Sequence, residues 1–336
     1  MTKKNKGTIP FFFKLILGVL ILIGMFVVAI VFGAAETTVS DVWNAIFTSV
    51  KSQQISIIRE IRLPREVAAV FVGAALAVAG SIMQGMTRNP LADPGLLGLT
   101  AGANAALAIT MAFLPNVNYF GIMITCFIGA AVGSIIVFGI GSIKKGGFSP
   151  FRIVLAGAAV TGFLTAISEG VGIYFKISQD ISMWTSGGLV GTSWEQVKVI
   201  VPFIMIGIII ALFLSRQLTI LSLNEEVAIG LGQNISRIKG FLFIVIVLLA
   251  GASVALVGNM AFLGLMIPHM VRAFVGTDYR FIIPMSAIFG ATFLLFADLL
   301  GRTINIPYET PVAAIVAMIG LPFFLFIVHK GGKDLS

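Results

Sequence analysis

Residues 15–35 read LILGVLILIGMFVVAIVFGAA, twenty-one positions without a charge, behind a basic cluster of Lys3, Lys4, Lys6 and Lys14. About 20 apolar residues make a helix long enough to cross a bilayer. A secretory leader carries a shorter apolar core, about 7–15 residues. The run therefore reads as a retained first membrane helix, although Gly33-Ala34-Ala35 is a weak cleavage-like triplet.

Outward from this run, further apolar segments lie at about 66–86, 95–114, 120–141, 152–173, 197–215, 239–259, 261–275, 281–300 and 310–328. With the first they predict ten membrane spans. The segment 261–275 is short and contains Pro268. Composition agrees, with 58% hydrophobic and 11% charged residues among 336 and a mean hydropathy of +1.06. Soluble domains carry roughly 25% charged residues. These values exclude a soluble enzyme, a secreted domain and a disordered chain. The expected fold class is all-α: a polytopic membrane protein with ten transmembrane helices in a single domain, residues 1–336.

Ten spans put both termini on one side. With that side cytoplasmic, fifteen of the 22 basic residues face inward, as the orientation rule requires. The net charge of +8 thus reflects membrane orientation, not nucleic-acid binding. Four of the seven outer charges cluster between Lys51 and Arg65, against the rule, and need a reason. The single cysteine, Cys126, sits in an apolar run and the histidines are two, His269 and His329, so neither a disulfide framework nor a His-rich metal site is expected.

GAALAVAG at 73–80 resembles GASVALVG at 251–258, and Pro90 and Pro268 keep the same offset. In this topology the two copies enter the membrane from opposite sides, the pattern of an inverted repeat, with halves at about 66–173 and 239–328. No Walker A, GxSxG, HExxH or CxxC pattern occurs, so the chain does not hydrolyse ATP alone. Membrane carboxylates are few: Glu66, Asp298 and Glu309 near helix ends and Glu169 late in the fifth span. That argues against an ion-coupled secondary carrier, and energy is expected from another subunit. The longest cytoplasmic loop, 216–239, holds Asn224, which can cap a short helix with Glu225 and Glu226 in its first turn, and Gly230 and Gly232, the latter able to end it. Asn89-Pro90 and Asp93-Pro94 break helices, Trp184 and Trp194 fit an interfacial belt, and His269 reads as a core residue.

Several blocks in order are similar to one family: RLPR at 62–65, GAALAVAGSIMQGMTRNPLADPGLLGL at 73–99, GLMIPHMVR at 264–272, GTDYR at 276–280, ADLLGR at 297–302 and PYETPVAAIVAMIGLPFF at 307–324. They resemble the FecCD-type permeases, membrane subunits of ABC importers for iron-siderophore complexes, haem and vitamin B12. Pro311-Val312-Ala313 departs from the family's Pro-Val-Gly. The resemblance implies a non-catalytic permease without cofactor or resident metal. It implies pairing with a second copy or a paralogue, two ATP-binding subunits beneath and a substrate-binding, siderophore-binding protein above. It makes Asn224, Glu225, Glu226, Gly230 and Gly232 the ATPase coupling region. It makes Arg62, Arg65 and Arg302 outward arginines that grip the binding protein, and Pro150, Phe151 and Arg152 the start of a pathway and gate segment. It also implies a short helix at 187–191. An iron-siderophore complex is the expected cargo, with vitamin B12 or haem as alternatives.

Overall fold

The computed structural model describes residues 10–32, 38–48, 50, 52–142, 150–186, 188–306 and 308–331. Among these residues there is no strand. The helices are α1 (Phe11–Val31), α2 (Val39–Phe47), α3 (Gln53–Ile57), α4 (Leu63–Thr87), α5 (Leu99–Phe113), α6 (Tyr119–Ser142), α7 (Pro150–Phe175), α8 (Ser178–Ser186), α9 (Trp194–Leu223), α10 (Glu225–Gly230), α11 (Ile235–Val257), α12 (Leu263–Val275), α13 (Tyr279–Thr303) and α14 (Val312–Gly331). Seven helices are long and apolar enough to cross a membrane, and three shorter apolar ones, Leu99–Phe113, Leu263–Val275 and Val312–Ile327, fall on the remaining expected spans.

Boundaries differ from the apolar runs where local chemistry overrides composition. The first helix starts four residues early because Pro10 stands at its N-cap, where a fixed φ suits helix entry. The second span begins far before residue 66. There α3, a π-helical turn at Ile58–Arg62 and α4 join into one 35-residue helix, Gln53–Thr87. The sixth span runs on to Leu223, so the expected loop 216–239 is largely helical, with α10 at its centre. The short helix expected at 187–191 lies instead at Ser178–Ser186. Gly188 and Gly191 have φ of 93° and 77°, which a right-handed helix does not accommodate.

The core sits on α4, buried along nearly all of Pro64–Thr87. Lipid gives helices no hydrophobic drive toward each other, so small residues that let backbones touch hold them. Gly73 lies on the carbonyl of Gly290, and Gly80 on the backbone of Gly264. Around these contacts Ser81 Oγ donates to Ser286 Oγ at 2.9 Å, and Gln84 Nε2 donates to the Leu265 carbonyl at 3.1 Å.

A Cβ at Gly80 would land on the Gly264 carbonyl, whereas one at Gly24 meets nothing within 4 Å. Gly80→Val should therefore lower the thermal midpoint of the detergent-solubilised protein or abolish its accumulation, since overpacking costs at least about 1–3 kcal/mol. Gly24→Ala should leave the midpoint unchanged or slightly raised. Thermal unfolding of the two variants side by side checks this.

Candidate functional site

A cavity of about 530 Å³ opens between α4, α5, α7, α11, α12 and α14. Its polar lining is Asp93, Thr100, Asn104, Thr161, Thr165 and Asn259. A second cavity of about 330 Å³ shares Asn104 and Thr165 and adds Ser168, Glu169, Ser178 and Ser182, so the two adjoin. Thr100 and Asn104, and Thr161 and Thr165, stand four residues apart on α5 and α7, one face of each helix. Both breaks in the helical backbone border the first cavity, one at residues 91–95 and the other at 259–262. Non-helical backbone at membrane depth survives only where it is buried or lines a cavity. At the first break, the Asp93 carboxylate accepts from the Gly95 N–H at 2.7 Å.

Sequence reasoning missed this path. Its signal was present, as hydroxyl and amide residues at four-residue spacing in otherwise apolar helices. Of the expected gate residues, Pro150 is the first residue of α7 and Arg152 is half-buried. The side chains of Pro150 and Phe151 lie outside the described residues. The cavity-lining residues of α7 begin three turns later, at Thr161.

At the start of α4, Arg62, Arg65 and Arg302 do converge, but they are 5%, 7% and 4% exposed. Arg65 donates to Asp298 Oδ1 from Nη2 at 2.8 Å and to Glu309 Oε2 from Nη1 at 2.9 Å. Arg302 Nε lies 2.9 Å from Asp298 Oδ2, and its Nη2 pairs with Glu66 Oε1. Arg302 Nη2 and Nη1 also donate to the carbonyls of Ala29 and Phe32, at 3.0 and 3.2 Å. Arg62 Nη1 donates to the carbonyls of Ile30 and Val31, at 2.6 and 3.0 Å. Two arginines thus cap the C-terminus of α1, where cations are favoured. Arg59 does the same for α2, donating from Nε to the Ala45 carbonyl at 2.7 Å. Within the basic cluster that breaks the orientation rule, Arg59, Arg62 and Arg65 satisfy helix ends and buried carboxylates of the same chain, while Lys51 lies outside the described residues.

At the other end of α4, some 35 Å away by helix rise, Glu225 Oε1 accepts from Lys239 Nζ at 2.8 Å and from Arg88 Nη2 at 3.3 Å. Asn224 caps α10 by accepting from the Glu226 N–H at 3.2 Å. Gly232, at φ 77°, closes it. Its N–H donates to the Ile229 carbonyl at 2.8 Å and that of Gln233 to the Ala228 carbonyl at 2.9 Å, a Schellman pair. Gly230 is the last residue of α10 and is exposed. Glu226, Val227 and Ile229 point to solvent, as does Leu231 beyond the helix. Nearby, the Arg280 guanidinium holds the Asp278 carboxyl below its ordinary value.

Ten apolar helices packed around adjoining polar cavities, with an apolar knob exposed at one end, describe a multi-span membrane protein. The chain belongs to the FecCD transport family, whose model matches residues 20–330. It is 44% identical over 319 residues to the iron(3+)-hydroxamate import system permease FhuB of Bacillus subtilis, covering 94% of this chain and 82% of that protein. It is 38% identical to the hemin transport system permease HmuU of Yersinia pestis, over 90% of this chain and 91% of that one. A solved inward-facing metal-chelate-type ABC transporter superimposes with a TM-score of 0.82 at 25% identity, covering 94% of this chain and 99% of that one.

Removing one partner from a buried ion network strands a charge and costs about 3–5 kcal/mol. Arg65→Met should destabilise the solubilised protein by that order, and Arg65→Met with Asp298→Asn should recover part of it. A double-mutant cycle read by thermal unfolding checks the coupling; additive losses would mean that the pair is not coupled.

Proposed function

We propose that this chain is the transmembrane subunit of a binding-protein-dependent ABC importer that moves a ferric siderophore complex into the cytoplasm, driven by ATP hydrolysed on two separate subunits. It works paired with a second copy or a paralogue. The α10 end and both termini face the cytoplasm, in keeping with the excess of basic residues there. The observation that carries the reading is the α10 knob. Ile229 and Leu231 are 62% and 64% exposed, on a segment fixed from behind by Glu225 and closed by Gly232. An apolar face held so firmly yet left uncovered fits a groove in a partner, and the chain itself carries no ATP-binding motif. Glu225 acts as a strut, and Glu226 is free to meet the partner.

The binding protein docks at the opposite end. Arg62, Arg65 and Arg302 contribute by holding the helix ends that present this surface, because their forks are already committed inward. Glu309, with its side chain 36% exposed, is the member of the network that reaches solvent.

Ile229→Asp and Gly232→Val should each abolish uptake and co-purification of the ATPase, with the permease still inserted. The first puts a charge into the groove, and the second strains a left-handed cap. Retention of the ATPase with full uptake in both variants would remove α10 from the mechanism.

A further inference from the structure

Among the described residues, Asp93 and Glu169 are the charged side chains lining the two cavities above, and Asp180 is the one lining a third of about 330 Å³ beside Tyr119, Trp184 and Gln196. All three are acidic, in a chain with 22 basic and 14 acidic residues. Seven basic side chains are committed elsewhere. Arg62, Arg65 and Arg302 serve the buried network, Arg59 caps α2, Arg88 and Lys239 hold Glu225, and Lys14 Nζ donates to the Phe274 carbonyl at 2.6 Å.

Glu169 is the group placed to sense cargo. It is exposed, it sits within a membrane span about 9 Å before the end of α7 by helix rise, and it opens on the second cavity beside Ser168, Ser178 and Ser182. The hydroxyl of Ser168 is turned away, donating to the Asn104 carbonyl at 3.2 Å. A carboxylate at membrane depth is costly unless it faces water or a partner charge. Among the described residues no basic side chain lines this polar cavity, which gives the carboxylate access to water.

We propose that the path selects by charge: it passes neutral or cationic ferric chelates and disfavours polyanionic ones, with Glu169 as the specificity-determining residue. The proposal rests on the import reading above and names its substrate class. Iron(III) held by three hydroxamate monoanions is neutral, and an appended ammonium makes the complex a cation. Iron(III) held by three catecholate dianions is a trianion. Hydroxyl and amide walls hydrogen-bond to the first two without holding them, while the trianion meets Glu169 in a cavity whose described lining holds no basic side chain.

The test uses the full transporter, with its ATPase subunits and binding protein, in proteoliposomes. Probes are a neutral ferric trihydroxamate, a ferric trihydroxamate with a free ammonium, and a ferric tris-catecholate. Initial import is normalised to loaded binding protein, and binding-protein affinity is measured separately. The wild type should import the two hydroxamates at least about tenfold faster than the trianion. Glu169→Gln should lower the cation-to-neutral rate ratio roughly three- to tenfold, Glu169→Lys should lower it further, and Glu169→Asp should keep it. A trianion rate equal to the neutral one overturns the proposal, and the wild-type series decides this even if a variant does not insert. An unchanged ratio in both Gln and Lys variants also overturns it. Failure of the wild type to import any ferric chelate would instead overturn the import reading.

Discussion

Direct backbone contact between α4 and its neighbours is the constraint from which the rest follows. In lipid, a leucine on a helix surface gains nothing by leaving acyl chains for another helix. What holds α4 in the centre is shape: Gly73 against Gly290 and Gly80 against Gly264, with hydroxyl and amide hydrogen bonds on the turns between. These contacts fix both the height and the rotation of α4. They therefore decide that Arg65 and Glu66 meet Asp298 and Arg302 at one end, and that Arg88 reaches Glu225 at the other.

The ion network is a consequence of that register as much as a support for it. Arg302, Glu66 and Asp298 are nearly or wholly inaccessible. Burial of such groups repays its desolvation only with good geometry and full pairing. The chain comes close to the condition by giving the arginines two tasks, with Glu66 Oε2 and Arg302 Nε left without a hydrogen bond. Their forks bind carboxylates on α13 and α4, and spare donors take up the last carbonyls of α1, which have no partner within that helix. A network that stitches α1, α4 and α13 at one level excludes a sliding register that glycine contacts alone would tolerate.

The ten spans were legible because apolar length is a signal that no partner alters. The short helix α10 was legible for a similar reason, since Asn224 and Gly232 act within a few residues. What the sequence withheld depends on long-range geometry. Outward arginines suggested a partner protein because orientation bias alone offers them no use. Within this chain Arg65 and Arg302 pair with Asp298 and Glu66, 233 and 236 residues away. The spacing of Asp298 and Arg302, one turn apart, was a visible hint. The π turn before α4 left no mark, because it changes the phase of side chains without changing their composition.

The two ends are mechanically joined through the walls of the path. Glu225 ties α10 to α4 through Arg88 and to α11 through Lys239. The Arg88 contact is exposed and contributes little, but the Lys239 side chain is only 8% exposed and lies at the start of α11. Both helices then border the larger cavity, α4 at Leu76 and α11 at Ala250 and Val254. A displacement of α10 by a partner therefore acts on two walls at once. Packed interfaces of this density respond by rigid shifts between discrete arrangements, not by continuous bending. The broken backbone at 91–95 and 259–262, between α4 and α5 and between α11 and α12, is where such a shift can be absorbed. It borders the same cavity, so a motion started at α10 would change the shape of that cavity.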